Sequence, residues 1–443
     1  MPWIATLFAA EAIPSAMITF VALLMLLQLG EEWGRATLLC GLLTLPWVLK
    51  SFVRAKVERM GHLALQLRLV EGAIFVMLVV LAFSFTGYEA RTWYVFASLF
   101  VLCMLCAWHE LTARQHYEHM LRPPLQRLYN PTKMFASQAV CIVTYGIMIV
   151  GVGFLEVFYH NRHDVLTQSW SMSVYVLAGL YLLLVIYNIF AIPGTSHSQY
   201  ASVRAGRHHH DDSEELSASV RAEVRVLDRI MHKRQWFSVF TALVVMLLPQ
   251  GLMFHTRVLF FIAPRAMGGL GATLQEIGLA QGTVGVMAFS VGLVLGSWLS
   301  QHVIFRGATS EATLRCRQQA AFIVALPLSP LIYWYLSYEL PTSLLAMCGA
   351  TLVAQFLFGF GLNACQPFVS FFSADRYRST TGYLYIPLVA LALLPTMSVS
   401  GYLSTLLGFH HFFALNSLAI PFAWTAGAAG IRLLRQKDTL PND

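Results

Sequence analysis

The chain has 443 residues, of which 57% are hydrophobic and 12% charged, with a net charge of +7. That charged share is about half the usual value for a soluble protein, which argues against a soluble globular fold. The 30 Phe residues argue against disorder, and apolar runs without a period of two argue against a β-barrel.

Apolar runs bounded by charge or turn residues predict twelve membrane spans. In chain order they are 4–29, 36–57, 65–87, 91–113, 133–158, 170–192, 235–263, 274–303, 316–337, 342–372, 380–406 and 409–433. Each approaches or exceeds the roughly 20 apolar residues that cross a bilayer as a helix. The first run continues to Leu29 with no basic segment before it, so it reads as a span and not as a cleaved signal. The longest polar stretch, 193–233, separates six spans from six. The expected organisation is therefore all-α: a six-helix bundle over 1–192, a cytoplasmic loop over 193–233, and a second bundle over 234–443. Within the loop, His208–His210 with Asp211 and Asp212 reads as a solvated linker and not as a metal site.

Orientation follows from the basic residues. With the N-terminus in the cytoplasm, 24 of the 29 Lys and Arg residues fall on the inner side. The exceptions are Arg35, Arg91, Arg162, Arg257 and Arg265. Both termini and the central loop are therefore expected in the cytoplasm, and the positive charge reflects topology and not a nucleic-acid footprint. The seven cysteines lie in or at the ends of apolar runs, so neither disulfides nor zinc is expected. Cys103 and Cys106 have CxxC spacing inside a span and read as packing residues.

Several patches carry a resemblance. They are Thr6 to Pro14 with Glu11, Leu45 to Lys50, Gly268 to Gly285 with Glu276, and Gln355 to Gly361. With the six-plus-six plan, they resemble the major facilitator superfamily, and within it the muropeptide-permease-like (AmpG-like) group. The superfamily's loop motif between spans two and three survives as Arg54, Glu58, Arg59 and Gly61. The resemblance implies that these residues lock one conformational state through charge pairs. Acids expected from it near Gln250 and Ala354 are missing, which counts against proton coupling through the C-terminal half.

Ionisable groups inside a bilayer are costly, so each is a functional candidate. Glu11 and Lys50 are expected at similar depth on neighbouring antiparallel spans, roughly 10 Å from the cytoplasmic side. They read either as a proton- or anion-responsive pair or as a structural one, with Lys50 alternatively snorkelling to the interface. Pro14 frees a backbone carbonyl and is expected to break the first helix near the cavity. Arg257, with His255 nearby, suits a carboxylate or phosphate if it faces the cavity, and otherwise sits at the interface. Gln250, Gln355, Asn363 and Gln366 suit sugar or amide recognition, or else helix-to-helix hydrogen bonds. Glu71 is expected to pair with Arg68 three residues earlier, and Thr273 with Glu276 has capping-box spacing. The glycines of spans eight and ten read as packing stripes.

The reading is a non-enzymatic secondary active transporter of the bacterial inner membrane, with a small-molecule solute and the bilayer as partners. The sequence has no ATP-binding loop. The resemblance implies import of a cell-wall-derived amino sugar or muropeptide, with protons a candidate coupling ion. A siderophore or other anionic-metabolite permease is the alternative. A non-transporting sensor or a membrane-embedded enzyme is the alternative of another class. No cofactor, metal or nucleic-acid partner is expected, and a monomer is.

Overall fold

The computed structural model describes residues 1–50, 57, 62–86, 91–160, 165–194, 235–301, 311–372 and 381–436. Among these residues the regular structure is entirely helical. The helices are α1 (Pro2–Gln28), α2 (Trp33–Leu42), α3 (Leu63–Ser84), α4 (Arg91–Met120), α5 (Pro124–Phe158) and α6 (Val165–Ala191). The second half has α7 (Trp236–Ile262), α8 (Leu274–Ser300), α9 (Arg317–Glu339), α10 (Leu344–Phe372), α11 (Thr381–Leu407) and α12 (Phe409–Leu434).

Eleven helices among the described residues are long and apolar enough to cross a membrane. The exception is α2, which gives way to a turn at Leu43–Thr44 before helix resumes at 45–50. Pro46 explains the interruption, because it favours the first turn of a new helix over the interior of an old one. Large apolar side chains face outward all along the helices. Phe190 is 84% and Leu345 82% exposed, as expected where lipid tails replace water.

Three of the long helices contain a wide π-helical stretch: Met17–Val21 in α1, Ile142–Ile147 in α5 and Gly278–Gly285 in α8. Such stretches are rare and concentrate at functional sites. In α1 the helix runs through Pro14 and widens from Met17 onward. The expected break is thus a widened turn. The predicted cap is present: Thr273 accepts from the Glu276 backbone N–H, and the Glu276 carboxylate accepts from the Thr273 N–H at 2.8 Å.

The contacts divide the chain into two compact units. The first takes residues 1–29, 43–144 and the described part of 155–229. The second takes 30–42, 145–154 and the chain from 230 onward. Two pieces of the N-terminal half, one carrying α2 and one from α5, thus belong with the C-terminal helices.

The first unit is centred on Trp3, Ile4, Leu7 and Phe8 of α1, packed with Leu67 of α3 and Tyr117 of α4. In the second unit the core gathers Leu243 and Met246 of α7, Phe322 of α9, Phe358 and Phe368 of α10 and Leu393 of α11. There α2 lies along α11: Thr37 donates to Ser398 O at 3.1 Å and accepts from Gly401 N.

The glycine stripes act as the sequence suggests, letting backbones touch. A side chain at Gly292 would meet Phe356 O, and one at Gly359 would meet Phe289 O, so α8 and α10 are in backbone contact. Gly278 and Gly282 of α8 bring the wide turn of that helix onto Tyr145 and Gly146 in the wide turn of α5.

Candidate functional site

Among the described residues, each unit holds buried polar side chains gathered between its helices. In the first unit the helix α4 is the backbone of the site. It runs to Met120, seven residues beyond the predicted end of span four, and Gln115, His116 and Tyr117 are buried. The longer helix carries these three polar side chains into the bundle.

Lys50 is 3% exposed, and its Nζ lies 2.5 Å from Glu110 Oε1. This corrects the expected Glu11–Lys50 pair: the acid that meets Lys50 is on the fourth helix. Both partners are buried, so each neutralises a charge that would otherwise be very costly. Glu11 stands close by, with no ion-pair partner among the described residues. One of its oxygens, Oε2, is fully buried and has no hydrogen-bond partner among the described residues. Glu110, Lys133, His109 and Arg114 lie within electrostatic range of it. Ser15, one turn along α1, donates to Glu11 O and touches Cys106 Sγ at 3.0 Å. The Lys133 ammonium sits 4.2 Å from the centre of the Phe8 ring and 5.8 Å from that of Tyr117, a cation–π arrangement that partly replaces hydration.

Glu71 does not pair with Arg68, as the spacing suggested. It is completely buried and turns to α4 and α6, where Oε1 lies 3.2 Å from His109 Nε2 and accepts from Asn188 Nδ2 at 2.9 Å. Arg68 instead reaches Ile192 O at 3.5 Å. The CxxC cysteines are buried packing thiols, with Cys103 donating to Leu43 O at 2.8 Å.

In the second unit the site centres on α7. Arg257 is 7% exposed and is held against the Phe254 ring at 5.3 Å. Among the described residues no carboxylate lies within 4.0 Å of it. Its charge reaches the phenols of Tyr145 and Tyr333. Tyr333 in turn accepts from Gln281 Nε2 at 3.3 Å, and the same amide group donates to Thr351 at 3.3 Å. Tyr145 and Gln281 both sit in the wide turns of α5 and α8. A guanidinium buried with no carboxylate beside it among the described residues has the chemistry to pair with a carboxylate or phosphate.

The other residues singled out in the sequence are mostly ties between helices. His255 Nδ1 lies 3.1 Å from Met397 O, so it is turned to α11. Gln250 donates to Leu326 O and, at 2.8 Å, to Ser329 Oγ. Asn363 accepts from Ser297 at 3.1 Å and donates to Phe360 O. Gln355 is buried against Gly285, whereas Gln366 is exposed. Arg54, Glu58, Arg59 and Gly61 lie outside the described residues, as does most of 193–233.

Sequence reasoning missed His109, Glu110, Asn188 and Lys133 in the first unit and Tyr145, Gln281, Tyr333 and Thr351 in the second. The adjacent His109 and Glu110 inside an apolar run carry the signal that costly intramembrane charge gives. The neutral hydroxyls and amides carry none.

No protein family matches the sequence, and no curated protein matches it. Solved structures do match along nearly the whole length. A protein solved for substrate recognition in proton-dependent oligopeptide transporters superposes with a TM-score of 0.65 at 14% identity, covering 98% of each chain. A bacterial homologue of the human lysosomal transporter Spinster, inward-facing and occupied, gives 0.63 at 12% identity, covering 98% of this chain and 91% of the other. The inward-open xylose transporter XylE from E. coli gives 0.57 at 10% identity over 95% and 94%. The fold is thus the twelve-helix major facilitator fold, in a multi-pass membrane protein. At these identities the likeness carries the fold alone.

Proposed function

We propose that the protein is a secondary active transporter that imports a small anionic solute by alternating access, driven by protons. The observation that carries this reading is Arg257, a buried cation with no acid partner among the described residues. Its neighbours Gln281 and Tyr333 supply neutral hydrogen-bonding groups beside it. Proton coupling belongs to the first unit, where Glu11 has a buried oxygen without a partner, and the acids absent near Gln250 and Ala354 point the same way. The resemblance to AmpG-like permeases favours a cell-wall-derived amino sugar or muropeptide. The structural neighbours are named for oligopeptides and for xylose, and a muropeptide joins a peptide to a sugar. An anionic metabolite such as a siderophore suits Arg257 equally. The expected setting is the bacterial inner membrane, with the termini and the 193–233 loop in the cytoplasm and the bundles divided at that loop.

The test is uptake of labelled muropeptide, amino sugar and ferric siderophore into vesicles carrying the purified protein under an imposed pH gradient. One compound should accumulate and an uncoupler should abolish the accumulation. Arg257→Ala should abolish uptake while the protein stays abundant, since no partner charge is stranded. Arg257→Lys should recover part of it, because a point charge replaces the planar fork. Unchanged uptake in Arg257→Ala refutes the anion site.

A further inference from the structure

The surroundings of Arg257 bear on how much charge a ligand there can carry. Its guanidinium lies 5.3 Å from the centre of the Phe254 ring. The Nε is fully buried and has no hydrogen-bond partner among the described residues, and no carboxylate among them lies within ion-pair distance. Nearby, Gln281 of α8 ties two hydroxyls together: its Nε2 donates to Tyr333 of α9 and to Thr351 of α10, each at 3.3 Å. All three of these side chains are buried, and the charge of Arg257 reaches the Tyr333 phenol. A hydroxyl that accepts a hydrogen bond keeps its own proton to donate to another partner.

Among the described residues buried in the second unit, Arg257 is the only one with a fixed charge. His255, two residues before it, is turned to Met397 O of α11 at 3.1 Å. The other buried polar side chains of this unit are hydroxyls and amides. We propose that the site takes a single carboxylate, held in the guanidinium fork with the Tyr333 hydroxyl as a second donor, and that it excludes phosphate monoesters. The proposal rests on the anion-site reading of Arg257 and names the chemical class of solute that this site selects.

Charge balance gives the reason. One guanidinium cancels one negative charge, and a carboxylate brings one. A phosphate monoester carries about −1.5 to −2 near neutral pH. Bound here it would leave close to one negative charge uncompensated, which is expensive in a low-dielectric interior. Geometry adds to this: a carboxylate is planar and matches the fork with two parallel hydrogen bonds. Its remaining lone pairs can accept from a neutral hydroxyl, which adds no charge. Among the solutes proposed above, a muropeptide carries carboxylates on its peptide, whereas a neutral amino sugar has none.

The test is thermal unfolding of the purified full chain in detergent, titrated with sodium acetate or with inorganic phosphate at equal ionic strength, with sodium chloride as the reference. A ligand that binds only the folded state raises the melting temperature along a saturation curve. General salt effects act on every variant alike, so the readout is the part of the shift that Arg257→Gln removes. Acetate should give such a shift and phosphate should not. Tyr333→Phe should shrink the acetate shift. Should Arg257→Gln fail to fold, Arg257→Lys takes its place, and half-saturation should then need several-fold more acetate, because the fork is lost. An acetate shift that survives Arg257→Gln, no acetate shift at all, or an Arg257-dependent phosphate shift as large as that of acetate overturns the proposal. The readout is independent of transport. An Arg257-dependent acetate shift in a protein that concentrates no solute refutes the transport reading alone. Concentrative uptake of a phosphorylated solute, abolished by Arg257→Ala, refutes the carboxylate assignment alone.

Discussion

At the residue scale, Lys50 and Glu110 behave as one unit. Both are buried, and removing either strands the other. Lys50→Met should lower stability by about 3–5 kcal/mol, because a buried carboxylate loses its counter-charge. Lys50→Met with Glu110→Gln should recover most of that loss. Thermal unfolding in detergent reads both, and equal loss in the single and double variants would dissolve the pair. Glu11 should answer differently, because Glu11→Gln breaks no ion pair among the described residues. That variant should fold and exchange solute down its gradient. It should not concentrate solute, and the pH dependence of its uptake should flatten. Full accumulation with wild-type pH dependence in vesicles would remove Glu11 from the coupling. The sequence located Glu11 and Lys50 as costly charges but not their partners. Depth along a helix follows from counting residues, whereas the choice of partner follows from helix rotation and crossing.

At the scale of elements, the crossing of α5 and α8 is the tightest test of the packing. A β-carbon at Gly282 would lie on Tyr145 O and Gly146 N, which are backbone atoms and do not rotate away. Gly282→Ala should therefore force the two helices apart at a cost of about 1–3 kcal/mol. It should also lower solute affinity, since Tyr145 and Gln281 sit in the same wide turns as this contact. Gly72, with open space around it, is the control: Gly72→Ala should leave melting temperature and uptake unchanged. The apolar runs placed most helices well. Span seven was expected over 235–263 and is Trp236–Ile262, and span twelve over 409–433 is Phe409–Leu434. Spans four and five were read too short, 91–113 against Arg91–Met120 and 133–158 against Pro124–Phe158. Hydropathy marks where lipid begins, while these helices continue as polar segments, buried at Gln115, His116 and Tyr117 in α4 and largely exposed over 124–132 in α5. Tyr117 in the extension donates to Gln126 O at 2.8 Å.

At the scale of the molecule, the arrangement of basic residues predicts the topology. Reporter tags inserted in 193–233 and fused at the C-terminus should read as cytoplasmic, and one at 162–164 as external. An external signal from the central loop would overturn this orientation.

The sequence by itself determined the membrane class and the approximate limits of most of the long apolar helices. Each of these depends on composition averaged over about twenty residues, which a single sequence states fully. Only the tertiary structure decided that Lys50 meets Glu110, that Glu71 turns to His109 and Asn188 rather than to Arg68, and that His255 is a tie to α11 beside an Arg257 with no acid partner among the described residues. It also decided that 30–42 and 145–154 pack with the C-terminal helices. The physical reason is common to all of these. In a membrane helix the lipid-facing and protein-facing sides are both apolar, so periodicity does not reveal which way a residue points. Rotation is set by close backbone contacts such as Gly292 on Phe356 and Gly282 on Tyr145, and those contacts join residues far apart in the chain.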